Sequence, residues 1–246
     1  MIYRKDLVDF LDELLKPVEF VDSTYNGLQV EGKNNIETIS LAVDSSLSVF
    51  EKAKDFLITH HALIWGGIKQ INSFYKKRIF ELLKNDTNLY VSHLPLDFHP
   101  EIGNNISLLK TLDISENYEF LKNSGILAFL KKEMNYNELL ETVKQKVNPS
   151  ARAYNFSNNK VKELFISTGA ISRNIIEQLA NIGIKNILTG EASSESTFYY
   201  LLKEYEMNII LAGHYQTEIF GLLSLMEFLK KEFNNSVNFN FIDMPY

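Results

Sequence analysis

Five histidines occur in this 246-residue chain, and four of them stand in patterns that suit metal or proton chemistry. His60 and His61 are adjacent at the end of "FLITHH". His93 precedes Asp97 by four positions in "SHLPLD", and His214 precedes Glu218 by four in "GHYQTE". Glu191 closes "ILTGE". Imidazole suits Zn, Fe, Ni or Cu, and carboxylates extend the set to Mn. Neighbours on an extended strand point to opposite faces. The adjacent pair therefore serves two metals, or two sides of one centre, unless the chain turns there. Three histidines and two acids fit a dinuclear centre with ions about 3.5–4 Å apart. The chain has no cysteine, so a metal site must be built from His, Asp, Glu and water. The fifth histidine, His99, precedes Pro100 and reads as a turn or surface residue. Trp65, Tyr25 and Tyr215 read either as pocket walls or as packing residues.

The elements that must position these groups follow from periodicity. Residues 3–15 place Leu7, Phe10, Leu11, Leu14 and Leu15 at helical spacing, and Pro17 ends the run. Then come a turn and short strand in "STYNGLQVEG", a buried strand over 38–46, a short helix in "LSVFEKAK" and a second buried strand in "DFLITHH". A helix over 75–86 and a third strand starting at 88 complete the first half. The middle reads as strand 125–130, helix 135–147, a strand in "ARAYNF" and strand 161–169. The second half then repeats the first: "LFISTGA", "SRNIIEQLANIG", "KNILTGE", "STFYYLLKEYE" and "NIILAGHYQTE" give strand, helix, strand, helix, strand. In this alignment Thr59 matches Thr189, His61 matches Glu191, and His93 and Asp97 match His214 and Glu218. Alternating strands and helices predict parallel sheets. The expected fold class is α/β: two related lobes from an internal duplication, over 1–110 and 111–246, with the C-terminal segment completing the site and no large inserted domain. Ligands of such sheets bind beyond the carboxyl ends of the strands, where all seven polar residues fall. These residues are expected near one or two crevices.

Composition narrows the class. The chain is 45% hydrophobic and 23% charged with a net charge of −6, ordinary for a globular protein. No dense Lys/Arg cluster points to nucleic acid. No apolar run approaches the ~20 residues of a membrane helix. The charged N-terminal helix is unlike a signal peptide, and a cytoplasmic location is the default.

Taken together, "NGLQVEG", "AVDSS", "LITHHALIWG", "SHLPLDFHPEIGNN", "ILTGE" and "AGHYQTEIFG" resemble the NIF-three-like (YbgI-like, DUF34) family, whose members are named GTP cyclohydrolase 1 type 2 homologues. The resemblance runs nearly end to end, in the family's order and in its short form. It implies two α/β lobes with a dinuclear centre in the cleft between them and assembly as a ring-shaped homohexamer. It assigns the metal ligands to His60, His61, Asp97, His214 and Glu218, which would hold two divalent ions per subunit (Fe, Mn, Zn or Ni). His93 and Glu191 match motif positions beside the ligands, as groups that move a proton or hold substrate. Leu94 and Pro95 stand where Thr and Asn are usual, and Ala62 where Pro is usual.

Two functions follow from the resemblance. One is a metal-dependent hydrolase acting through a metal-bound water on an unidentified small molecule, nucleotides among the candidates. No phosphate-binding loop and no G-x-S-x-G elbow accompany the site. The alternative is a non-enzymatic metal-binding or protein-interaction protein, regulatory or chaperone-like. DNA binding by a ring is disfavoured by the acidic balance.

Overall fold

The computed structural model describes residues 1–121, 124–157, 160–192, 195–233 and 236–245, with the side chains of 195–197 outside the description. The chain forms two compact units: residues 1–103 with 221–246, and residues 104–220. The lobe boundary expected near 110 falls at Asn104 in the structure, and the segment from Gly221 onward belongs to the first unit. Among the described residues, no helix is long and apolar enough to cross a membrane.

The first unit is built on a five-stranded sheet in the order Asn238–Phe241, Thr38–Ala42, Phe56–Thr59, Asn88–Val91 and Gly27–Val30. The first four strands run parallel, and the last is antiparallel. "FLIT" and "NLYV" are buried throughout, as strands covered on both faces must be. Phe50, Leu57, Leu82 and Leu89 fill one side. The register is level at the carboxyl ends: Ala42 pairs with Thr59, and Thr59 with Val91. Asp44, His61 and His93 each lie two residues beyond this line. Backbone bonds carry the alignment past it, from His61 N to Val43 O (2.7 Å) and from Ser92 N to Thr59 O (3.0 Å).

The second unit repeats the plan with a six-stranded sheet in the order Ser115–Leu121, Gly125–Met134, Val161–Ile171, Asn186–Ala192, Asn208–Leu211 and Arg152–Asn155. The three strands from Val161 to Leu211 are parallel, with Ser167, Thr189 and Leu211 level. Leu164, Ile166, Leu188 and Ile210 enter one core, and Phe165, Ile187, Ile209 and Leu211 another. That alternation covers both faces of the sheet.

Helix ends obey local chemistry. Arg4–Leu15 buries Leu7, Leu11 and Leu15 and ends where Lys16 turns left-handed before Pro17. The helix expected over 75–86 runs instead from Ser73 to Lys84. Asn72 caps it by accepting from the N–H groups of Phe74 and Tyr75, which sets the start two residues earlier. The short helix expected through "LSVFEKAK" is a single turn, Leu47–Phe50, capped by Ser46.

Candidate metal centre

In the first unit, the strand carrying the histidine pair ends at Thr59 and the chain bends at His60 and His61. The rings therefore do not diverge to opposite faces of a strand; their centroids are 5.0 Å apart. His93 joins them, 5.0 Å from His60 and 6.1 Å from His61. One ring nitrogen from each of the three lies within 4.8 Å of the others. Asp97 sits one turn beyond His93 on the helix Leu94–Phe98, its N–H bonded to His93 O (3.1 Å). Pro95 is buried in the first turn of that helix, where no N–H is needed, so the departure from the usual motif keeps the His93–Asp97 spacing.

Each ring is fixed through Nδ1. His60, fully buried, faces the carbonyl of Ser92 (3.0 Å). His61 faces the Asp44 carboxylate (2.7 Å), and His93 that of Asp22 (2.9 Å). Carbonyls and ionised carboxylates only accept, so Nδ1 carries the proton and Nε2 presents its lone pair. This is the arrangement metal-binding histidines adopt. The Nε2 of His60 lies 3.5 Å from the Asp97 carboxylate, two acceptors turned toward one another. Such a pair is stable only with a proton or a cation between its members.

Asp22 is the anchor of the third ring. It accepts from Asn26 Nδ2 (2.9 Å) and Leu94 N (3.2 Å) as well as from His93, while Asn26 Oδ1 accepts the His93 N–H (2.7 Å). Burial pushes the Asp22 carboxyl pKa up. The hydrogen bonds from His93, Asn26 and the Leu94 N–H outweigh it and hold the carboxyl well below the usual carboxylate range.

The second unit offers the same chemistry. His214 opens the helix His214–Phe233, and Glu218 follows one turn later, nearly buried, with Oε1 at 3.2 Å from His214 Nε2. Glu191 occupies the Nδ1 side at 3.0 Å. Again the tautomer is pinned and an acceptor faces Nε2. The pair is held in place by its neighbours. Gly169 N donates to Thr217 Oγ1 (3.0 Å), and Thr217 Oγ1 donates to the carbonyl of Gly213 (3.0 Å) or His214 (2.9 Å). Gly169 has φ +66°, and a Cβ there would lie 2.2 Å from Glu218 Oε1.

All seven site residues expected from the sequence therefore lie at strand ends of one or other unit: His60, His61, His93 and Asp97 in the first, Glu191, His214 and Glu218 in the second. His93, expected only to stand beside the ligands, lies inside the imidazole cluster. His99 caps its own turn, its Nδ1 accepting from Glu101 and Ile102, as its place before Pro100 suggested. Tyr215 is buried packing. Tyr25 lines a 350 Å³ cavity together with Phe20, Asp22 and Asn26. Trp65 stands edge-on to His93 at 5.0 Å. The sequence reading missed Asp22, Asn26, Asp44, Thr217 and Gly169. Only Asp44 left a signal, its offset of two from a strand end.

Two α/β units, one with three clustered histidines and the other with a single histidine, and each with one imidazole facing a carboxylate, define a protein whose His and acidic groups could hold a metal ion. The family described as DUF34/NIF3 (NGG1p interacting factor 3) matches residues 2–245, and the chain belongs to it. It is 38% identical to a protein of Pyrococcus horikoshii named GTP cyclohydrolase 1 type 2 homolog, over 98% of each chain. A protein of the same name from Archaeoglobus fulgidus is 34% identical over 98% of this chain and 97% of its own. Among solved structures, protein ybgI, described as of unknown function, superposes with a TM-score of 0.90 at 30% identity, covering 100% of this chain and 99% of its own. Reduced HcgD from Methanocaldococcus jannaschii gives 0.86 at 26% identity, over 99% and 98%.

Proposed function

We propose that His60, His61, Asp97, His214 and Glu218 hold two divalent ions per chain, and that the protein is a metal-dependent hydrolase of a small molecule, with nucleotides among the candidates. The observation that carries this reading is the acceptor facing acceptor at His60–Asp97 and at His214–Glu218. A divalent ion held there would supply Lewis acidity and would bring the pKa of a coordinated water down toward neutrality. The donor set suits Fe, Mn, Zn or Ni. Asp44 and Glu191 orient His61 and His214 through Nδ1. His93, oriented by Asp22 and Asn26, presents Nε2 within the imidazole cluster, where it takes or returns a proton or holds substrate. The names of the Pyrococcus and Archaeoglobus relatives support a purine nucleotide as one substrate to try. The family's description as an interacting factor supports the second reading, a metal-binding protein that acts through protein contacts.

The test is metal content and turnover measured on the same samples, using whichever substrate a screen of metal-loaded protein reveals. His60→Ala and Asp97→Ala should lose metal and activity together. His93→Ala should keep its metal and lose activity by about 10²–10⁴-fold, the usual worth of a general acid or base. If His93→Ala strips metal as thoroughly as His60→Ala, His93 is a ligand. If every ligand variant keeps the turnover, that activity comes from a contaminant, and the non-enzymatic reading stands.

A further inference from the structure

Trp65 is the only tryptophan in the chain, and it is 40% exposed. Its ring lies 5.0 Å from His93 at an interplanar angle of 83°, and 6.4 Å from His61. Its backbone is tied down on both sides. Thr24 forms a β-bridge with Trp65 itself, Thr24 Oγ1 donates to Ile64 O (2.6 Å), and Gly66 N donates to Ser23 O (2.8 Å). Gln29 locks the same junction, accepting from Ile64 N (3.2 Å) and donating to Thr24 Oγ1 (3.1 Å). The tied segment is the one that supplies Asp22 and Asn26 to His93. One short stretch of chain thus ties the backbone at Trp65 to the segment that anchors the His93 imidazole.

We infer that Trp65 is a stacking platform for a planar heterocyclic part of the substrate; the inference rests on the reading of the neighbouring histidines as a reaction centre. A large apolar ring held rigid and partly open to water is an unfavourable surface that a flat ligand covers at little entropic cost. The two rings at 83° form a corner. A planar ring stacked on the indole turns its edge toward His93, so ring nitrogens and carbonyls meet the imidazoles while the π face meets the tryptophan. A puckered sugar or an aliphatic chain fills such a corner poorly. Beyond Trp65 the approach is open, with nothing within 4 Å of where a Cβ would stand on Gly66 or Gly67.

The single tryptophan makes the test direct. Emission excited at the indole edge reports Trp65 alone, in protein with and without Mn²⁺. Hypoxanthine and nicotinamide should quench it saturably, whereas cyclohexanecarboxamide and methyl glucoside should not. Equilibrium dialysis of hypoxanthine should show Trp65→Leu binding about 5- to 150-fold more weakly, the usual worth of stacking on one aromatic ring. Trp65→Phe should keep most of the affinity. Linear, non-saturating quenching, equal binding of the saturated or sugar probe, or unchanged dialysis with Trp65→Leu would overturn the inference. So would an indole already shielded from acrylamide in the unliganded protein, since a second copy would then be covering it. Mn²⁺ content is read separately. If neither manganese nor, in parallel samples, iron or zinc loads, the metal reading falls whatever the probes do; if a metal loads and the rings do not bind, the platform alone is wrong.

Discussion

Replacing Gly169 by alanine would place a Cβ 2.2 Å from Oε1 of Glu218 and 3.2 Å from Nε2 of His214. To reach ordinary contact the carboxylate must retreat by about 1 Å or more. The backbone adds its own strain, because φ +66° is the left-handed region, which costs an L-residue about 1–2 kcal/mol. Gly183 separates the two effects. It too is left-handed, at φ +84°, but a Cβ there meets nothing within 4 Å. Gly183→Ala should therefore lower Tm by about 2–8 °C, the shift that strain of this size produces in a chain of this length, and leave metal affinity unchanged. Gly169→Ala should lower Tm at least as much and weaken Mn²⁺ binding by about 10–100-fold, the typical result of disturbing the surroundings of a ligand. Chelator competition gives the affinity, and a thermal melt of the same samples gives the stability. Wild-type affinity in Gly169→Ala, or equal weakening in Gly183→Ala, would refute the claim that the glycine exists to admit Glu218.

Glu218→Gln keeps the shape of the donor and removes its charge; elemental analysis should show fewer ions per chain than wild type, and unchanged occupancy would mean that the Glu218 charge does not hold an ion. Asp22→Asn should leave the His60 and His61 donors in place and reduce turnover more than metal content, measured on one preparation; parallel losses would show that Asp22 supports the whole cluster. Light scattering at micromolar concentration should give a hexamer, and a monomer mass would dispose of the ring. Asp55 accepts from Glu37 N (2.8 Å) and Thr38 N (3.0 Å) and pairs with Lys33 (2.6 Å). Burial raises its pKa, but these partners outweigh burial and lower it overall. Its contribution is thus complete above the unfolded value of about 3.9 and is lost as pH falls through the folded one. Asp55→Asn should cost about 1–3 kcal/mol at neutral pH and flatten the acid side of a denaturation profile.

The histidine strands were legible because strands buried on both faces read as unbroken apolar runs, and "FLIT" and "NLYV" each stop abruptly at polar residues. The anchors of the rings were not. Asp22 meets His93 across 71 positions, and no local pattern announces such a pairing. The helix Asn104–Leu112 escaped notice for a different reason: Asn104, Asn105 and Ser107 are buried along with its leucines, so polarity does not mark its solvent side. Nor does periodicity reveal that Asn238–Phe241 pairs with Thr38–Ala42, although Ser40 and Asn240 share a hydrogen bond of 2.7 Å.

The level strand ends make chain length, more than residue identity, what the site tolerates least. His61 and His93 reach the cluster because each stands two residues past a paired position, and one inserted residue in either strand would send the imidazole to the other side of the sheet. The second unit contains such an insertion. His214 stands three residues past Leu211, which is level with Thr189 as Val91 is with Thr59. The extra position is absorbed by Gly213, at φ +92°, and the histidine moves from before its helix to the helix's first residue. Relatives carrying insertions should accordingly place them in the open stretch around Gly66 and Gly67, and a change of length between Val91 and His93 should occur only together with a glycine at the turn.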